Sequence, residues 1–189
     1  MLSFIRELSV WDRLPAERRP VVLYGMGDGA LKVLDACGKK GIRVAGIFAS
    51  DGHVRGNEFA GFRVKRLSEL EAELGDFIIL LCFAAFREEL LAQLEEVGRR
   101  HELLAPDVPV FGEELFDQAY LDAHSGELEA VYGMLADEQS RRVFRCVLNF
   151  KLSGKPCYLR EAETPKEEVY SGILRLSRDE DYYDLGGYD

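Results

Sequence analysis

Two glycines and an alanine form the part of this sequence best suited to hold a ligand. Gly25, Gly27 and Ala30 fit the spacing G-x-G-x-x-G/A and follow a run of apolar residues. In proteins that bind dinucleotides, this spacing lies between a strand and a helix. There the glycines let the backbone approach a pyrophosphate, and the helix N-terminus favours its charge. The motif therefore predicts a nucleotide or nucleotide-sugar site at this turn.

Two features near the glycines argue against a dinucleotide cofactor. Asp28 lies inside the turn, where its carboxylate either repels a second anion or caps the helix. A protein that binds NAD in this way also has an acidic residue about 20 residues further on, which holds the ribose hydroxyls. Ala49 and Ser50 stand there instead. In the following loop, His53 and Arg55 are either phosphate contacts or solvated side chains.

The chain around the glycines alternates strands with helices. Apolar runs predict strands at residues 21–24, 42–48, 63–64, 77–83, 102–105 and 108–111. Helical spacing predicts helices at residues 31–36, 68–74 and 86–97, the second with a capping box of Ser68 and Glu71. Strands that are apolar on both sides need a mainly parallel sheet covered on both faces. Residues 1–112 are therefore predicted to form a small, doubly wound, Rossmann-like α/β lobe.

Two further parts of the chain are predicted beside this sheet. An N-terminal helix belongs to the same lobe, because apolar residues share one helical face: Phe4, Ile5, Leu8 and Trp11. Residues 113–160 show helical spacing alone, with a start signal at Asp137, and are predicted to be a connector of two or three helices. Residues 161–189 carry nine acidic and three basic residues, a net charge of −6, which is typical of an acidic linker.

The composition limits the partners of this protein. It has 24 basic and 34 acidic residues, and its net charge of −10 argues against nucleic acid and anionic lipid. The longest apolar run, residues 77–86, is about half of what a membrane-spanning helix needs. Charges every few residues in residues 1–20 are unlike a secretory signal. Four cysteines without metal-ligand spacing predict no metal site, no disulfide framework and a reducing, cytoplasmic location.

Three stretches of the α/β lobe resemble a known type of domain. Rossmann-like N-terminal lobes that precede sugar-modifying acetyltransferases and FkbM-family methyltransferases are similar to VVLYGMGDGALKVLD, VAGIFASD and GNEFAGFRVKRLSEL. In those lobes an acidic residue follows the aromatic residue at the end of the second strand. Here Ala49 follows Phe48.

The last eight residues favour the methyltransferases. The stretch YYDLGGYD resembles the opening of the FkbM-family methyltransferase domain, in which Asp184, Gly186 and Gly187 match the first strand and its glycine turn. The resemblance implies methyl transfer from S-adenosylmethionine to a hydroxyl of a sugar or natural product. It also implies that these three residues form part of the cofactor site. The chain ends within this motif, so it is predicted to be an inactive N-terminal portion of a larger enzyme whose catalytic residues lie further on.

The resemblance also implies a small-molecule acceptor. Under it, the α/β lobe binds a nucleotide or nucleotide-sugar, or else it positions the acceptor. Two other functions stay open. One is a stand-alone NAD(P)- or nucleotide-binding module, which the Gly25 turn favours. The other is a ligand-free domain that forms a homodimer, which the incomplete glycine fingerprint favours. Whichever function applies, apolar residues of the segment 173–183 are predicted to pack on the connector helices or on a second copy.

Overall fold

The computed structural model of the chain describes residues 2–50, 52, 54, 56–85, 87–164 and 179. Within them the strands are β1 (Val21–Tyr24), β2 (Val44–Phe48), β3 (Glu58–Phe59), β4 (Phe62–Lys65), β5 (Ile78–Leu81) and β6 (Glu102–Leu104). The helices are α1 (Val10–Arg13), α2 (Asp28–Lys39), α3 (Leu67–Leu74), α4 (Glu88–Arg100), α5 (Gln118–Ala123), α6 (Ser125–Met134), α7 (Glu138–Ser153) and α8 (Cys157–Ala162).

The sheet is mainly parallel and doubly wound. Its strand order is β3-β4-β2-β1-β5-β6, and all neighbours are parallel except the β3–β4 hairpin. The chain winds outward from β1 through β2 to β4, and then continues on the other side of β1 with β5 and β6. The carboxyl ends of β1 and β5 are therefore the switch point at which sheets of this kind bind ligands. The predicted doubly wound, Rossmann-like α/β fold is confirmed.

Apolar side chains cover both faces of the sheet. Val21 and Leu23 of β1 pack with α1 and α2 on one face. Val22 and Tyr24 pack with α3 and α4 on the other face. All four residues of β1 are buried, which is why such strands read in the sequence as continuous apolar runs.

The connector helices pack on the N-terminal segment. One apolar cluster joins Leu2 and Phe4 to side chains of the connector: Phe116, Leu121, Leu148 and Leu152. Asn149, which is buried, accepts a hydrogen bond from the Arg6 N–H at 2.8 Å and donates one to the Phe4 carbonyl at 2.9 Å. The N-terminal segment is thereby fixed to α7.

The predicted N-terminal helix is much shorter than its apolar spacing suggests. Only Val10–Arg13 is helical, and residues 2–9 form no helix. This conformation lets Phe4 reach the connector while Trp11 reaches the core of the α/β lobe. Leu8, assigned to the same face by its spacing, is 71% exposed.

Other local predictions also differ from the structure. Helix α3 begins after Arg66, whose backbone N–H donates to the Glu69 carboxylate at 2.8 Å, so the capping box of Ser68 and Glu71 is wrong. Residues 105–117 form neither helix nor strand, so the predicted strand at residues 108–111 is also wrong. The connector has four helices, α5–α8, instead of two or three. In the described part of the chain, every helix is too short or too polar to cross a membrane.

Candidate functional site

The β1–α2 turn forms one side of a cleft at the switch point. Gly25 has φ +122, a conformation that favours glycine, and its N–H donates to the Phe48 carbonyl at 2.9 Å. A Cβ at Gly25 would also lie 3.0 Å from the ring of Phe83. The backbone conformation and this close contact both call for glycine at residue 25.

Gly27 has no such structural constraint. It is the N-cap of α2, with φ −119 and ψ −164, which other residues adopt without strain. Nothing lies within 4 Å of the position that its Cβ would take. Gly27 lines the cleft, so its missing side chain leaves room for a ligand to approach the backbone.

Gly29 lets a helix and a strand pack closely, which in dinucleotide-binding proteins is the role of the third glycine or alanine of the motif. A Cβ at Gly29 would lie only 2.2 Å from the carbonyl oxygen of Cys82, just after β5. Ala30 points into the core and is fully buried. Gly29 therefore allows α2 to pack closely on the end of β5. It lies one residue before Ala30, the third position of the motif. The only sequence signal for this is the glycine itself.

The cleft above the turn has a volume of about 400 Å³. The carboxyl ends of β1, β2 and β5 and the first turn of α4 form its walls. Besides Gly25 and Gly27, its lining residues are Tyr24, Met26, Ala49, Ser50, Phe83 and Leu90. Every lining residue that the structure describes is uncharged. Such a lining suits a neutral, partly apolar ligand better than a diphosphate.

Ring contacts fix the two aromatic side chains that line the cleft, Tyr24 and Phe83. Tyr24 stacks on Phe48 with ring centroids 4.4 Å apart, and Phe83 meets Tyr24 edge-on at 4.9 Å. The Tyr24 hydroxyl is 2.7 Å from Oγ of Ser50. This hydrogen bond joins the ends of β1 and β2. It lies at the edge of the sheet where NAD-binding proteins have the acidic residue that holds the ribose.

The charged residues that the structure describes near the turn do not complete a phosphate site. The Asp28 side chain is 81% exposed, and its carboxylate lies 3.4 Å from Lys32 Nζ, one helical turn further on. Gly27 is the residue at the N-cap position. His53 and Arg55 lie outside the described residues. No described cation therefore lines the cleft.

The thiol of Cys82, which follows β5, is buried. Burial raises the pKa of Cys82 to about 12, and its Sγ donates to the Leu80 carbonyl at 3.3 Å. Burial also raises the pKa of Cys37 to about 12. Both thiols are therefore neutral at physiological pH. Among the described residues, no three His, Cys, Asp or Glu side chains are grouped to hold a metal ion.

Two larger depressions adjoin the cleft. One, of about 620 Å³, lies between α3 and α4 and shares Tyr24, Ala49 and Ser50 with the cleft. The other, of about 710 Å³, lies between α4 and α8 and shares Phe83. We call this second depression the apolar groove. Ligand-sized space therefore extends to both sides of the switch point.

A cluster of charges lies at the opposite end of the sheet. Arg19 precedes β1 and contacts Glu17 at 2.9 Å and Glu102 at 2.5 Å. Hydrogen bonds from the Arg19 side chain and backbone lower the pKa of Glu17 to about 2. These ion pairs join the amino ends of β1 and β6, so they stabilise the fold away from the cleft.

The second predicted motif lies outside the described residues. Asp184, Gly186 and Gly187 belong to the segment 180–189, so the partial cofactor turn stays a prediction.

A solved structure has the same fold. The crystal structure of methyltransferase FkbM from Methylobacillus flagellatus KT superimposes with a TM-score of 0.54 and 18% sequence identity. The match covers 93% of this chain and 52% of that chain. No protein-family model matches the sequence, and no curated protein matches it either. The chain therefore has an FkbM-like methyltransferase fold, and it spans about half the length of that methyltransferase.

Proposed function

We propose that the chain is part of an S-adenosylmethionine-dependent methyltransferase and that its α/β lobe positions the acceptor, a hydroxyl of a sugar or natural product. The observation that carries the proposal is the fold shared with methyltransferase FkbM over 93% of the chain. Methyl transfer needs little side-chain chemistry, because the sulfonium of the cofactor is already activated and in-line placement supplies much of the rate. An uncharged cleft is suited to placing an acceptor hydroxyl in line with the methyl group.

The described cleft does not fit the cofactor itself. A nucleoside cofactor bound at this edge has its ribose hydroxyls held by an acidic residue at the end of the second strand. Ala49 and Ser50 occupy those positions, and none of the described lining residues is a carboxylate. We therefore assign the cofactor to the turn of Asp184, Gly186 and Gly187, and the cleft to the acceptor.

The hydroxyl pair of Tyr24 and Ser50 offers the acceptor a specific contact. Within the pair, one hydroxyl donates its proton to the other at 2.7 Å. The hydroxyl that accepts still has its own proton to donate, and both oxygens keep lone pairs. An acceptor hydroxyl can therefore bind here without a charged partner, while Phe83 provides an apolar surface beside it.

Nucleotide or nucleotide-sugar binding at the same turn is a second candidate. The open position at Gly27 and the N-terminus of α2 favour it. The lack of a described cation in the cleft opposes it, because a diphosphate carries two or more negative charges. The two candidates differ in the ligand and share the site.

The test follows methyl transfer by the product of the complete gene. S-adenosylmethionine with a labelled methyl group is supplied together with simple glycosides, and labelled small molecules are separated. Gly27→Val fills the cleft without backbone strain, so we expect the KM for the acceptor to rise at least tenfold while cofactor affinity stays the same. Gly126→Val is the matched control, because Gly126 lies in α6 and also has open space at its Cβ position.

Three outcomes would contradict parts of the proposal. Absence of labelled product from any acceptor, with the cofactor bound, would overturn methyl transfer to glycosides. Loss of cofactor binding in Gly27→Val would place the cofactor in the cleft. Tight binding of uridine diphosphate glucose to the 189-residue chain, abolished by Gly27→Val, would favour the second candidate. Titration of the same chain with S-adenosylmethionine should show no binding, and tight binding that Gly27→Val abolishes would contradict our assignment of the cofactor site.

A further inference from the structure

The apolar groove between α4 and α8 has the size and lining of a ligand site. Its volume of about 710 Å³ lies within the range of roughly 300–1,000 Å³ that is usual for small-molecule pockets. Helix α4, strand β6 and helices α7 and α8 each supply apolar side chains. These apolar side chains include Leu91, Leu94, Leu103, Phe150 and Leu159.

The groove leaves apolar side chains uncovered on both of its helical walls. Leu91 on α4 is 39% exposed, and Leu159 on α8 is 46% exposed. The charged groups at its edge are paired with each other. Arg160 contacts Glu95 at 2.5 Å, and Arg99 contacts Glu96 at 3.0 Å. The groove therefore presents an apolar surface whose charges are already neutralised, which suits a hydrocarbon chain or ring.

The groove and the switch-point cleft meet at Phe83. The ring of Phe83 lines both, and it is held by its edge contact with Tyr24. Leu90 and Leu91, which are neighbours on α4, line the cleft and the groove respectively. An acceptor that reaches both spaces must therefore pass along the Phe83 ring.

We infer that the acceptor is amphipathic, with its hydroxylated part in the cleft above Gly27 and an aliphatic or aromatic part in the apolar groove. This inference rests on the proposed function and specifies the class of acceptor. The groove and the cleft share the Phe83 ring as a wall, so the acceptor's own apolar part is the occupant that this geometry favours. An acceptor without such a part leaves the exposed leucines of the groove in water.

The experiment measures affinity as a function of tail length. Methyl, butyl, hexyl and octyl β-D-glucosides are titrated into the 189-residue chain below the concentrations at which they form micelles. Each methylene group that moves from water into an apolar site strengthens binding by about fourfold. We therefore expect the affinity to rise at least tenfold from butyl to hexyl glucoside.

Substitutions in the groove test where the tail lies. Leu91→Lys and Leu159→Lys place charges in the groove at partly exposed positions, where the fold tolerates them. In both variants we expect the increase in affinity from butyl to hexyl glucoside to fall below threefold. Leu31→Lys is the matched control, because Leu31 is 49% exposed on α2 and does not line the groove. In Leu31→Lys the increase in affinity from butyl to hexyl glucoside should equal that of the wild type.

Five results would overturn the inference. Four come from the titrations: equal affinity for all tail lengths, no binding of any glucoside, a gain in affinity that survives in both groove variants, and an equal loss of that gain in Leu31→Lys. A wild-type dimer that Leu91→Lys dissociates would assign the groove to a second copy of the chain and would also overturn it. None of these results decides the proposed function, which labelled methyl transfer tests separately.

Discussion

Replacing Gly29 by alanine tests how closely α2 packs on the end of β5. The added Cβ would lie 2.2 Å from the carbonyl oxygen of Cys82, closer than such atoms approach in folded proteins. The oxygen belongs to the backbone, so it cannot rotate away as a flexible side chain does. The Cys82 N–H is also bonded to the Tyr24 carbonyl at 3.0 Å, which holds this part of the sheet in place. Either α2 moves outward or the end of β5 is displaced.

The size of the effect follows from two opposing contributions. Adding a methyl group to a packed interior costs about 1–3 kcal/mol. Alanine is a better helix former than glycine by up to about 1 kcal/mol, which offsets part of that cost. With a mid-range cost of about 2 kcal/mol and an offset of up to about 1 kcal/mol, the net loss of about 1–2 kcal/mol should lower Tm by about 2–8 °C in a chain of this size. Gly38→Ala, in the same helix and with nothing within 4 Å of its Cβ position, should instead raise Tm by about 1–4 °C.

Thermal unfolding followed by circular dichroism compares the two variants with the wild type. The comparison uses one helix and one substitution, so helix propensity alone would shift both melting temperatures upward. If Gly29→Ala melts at or above the wild-type temperature while Gly38→Ala behaves as expected, α2 does not pack on β5 as closely as described. The close packing of α2 on β5 would then not be the reason for a glycine at residue 29.

Two further predictions concern contacts away from the cleft. Since the pKa of Glu17 is lowered from 4.5 to about 2, its carboxylate stabilises the fold fully above about pH 4.5 and ceases to do so as the pH falls through 2. Tm should therefore fall between pH 5 and pH 2, and by less in Glu17→Gln. Asn149→Leu should lower the free energy of urea unfolding by about 2–4 kcal/mol, because it leaves buried backbone groups unpaired. Gln139→Leu, at an exposed position, should change it by about 0.5 kcal/mol or less, and equal effects would contradict this explanation.

The central strands could be predicted because their environment is the same on both sides. Ile78–Leu81 is an unbroken apolar run, and it proves to be a strand buried between two helical layers. Asp137 is likewise confirmed as a helix start, since its side chain accepts a hydrogen bond from the Ser140 N–H at 2.8 Å. Both signals are local, so the sequence contains them directly.

The errors arise where distant parts of the chain decide the conformation. Phe4 and Trp11 have the spacing of one helical face, yet they pack in two different apolar clusters, so no single helix serves both. Residues 108–111 read as a strand, but Val110 is held through its carbonyl by Lys32 Nζ at 3.2 Å and is 75% exposed. Neither contact can be derived from residues next to each other in the sequence.

The location of the cleft was predictable, and its lining was not. A glycine turn after the first strand of a doubly wound sheet points to the switch point. Phe83 follows β5 and Leu90 lies in α4, and their convergence on Gly27 depends on the order of the strands. The pairing of Tyr24 with Ser50 also depends on β1 and β2 being neighbours.

The three glycines of the turn differ in what the fold requires of them. Gly25 has a positive φ, and Gly29 packs against a backbone oxygen, so the fold accounts for both. Gly27 has an ordinary conformation and open space around it, so nothing in the fold requires glycine there. A turn that serves the fold alone needs only the first and the last of these. Gly27 is therefore the glycine that points to a ligand at the switch point, and its replacement by valine separates a binding turn from a purely structural one.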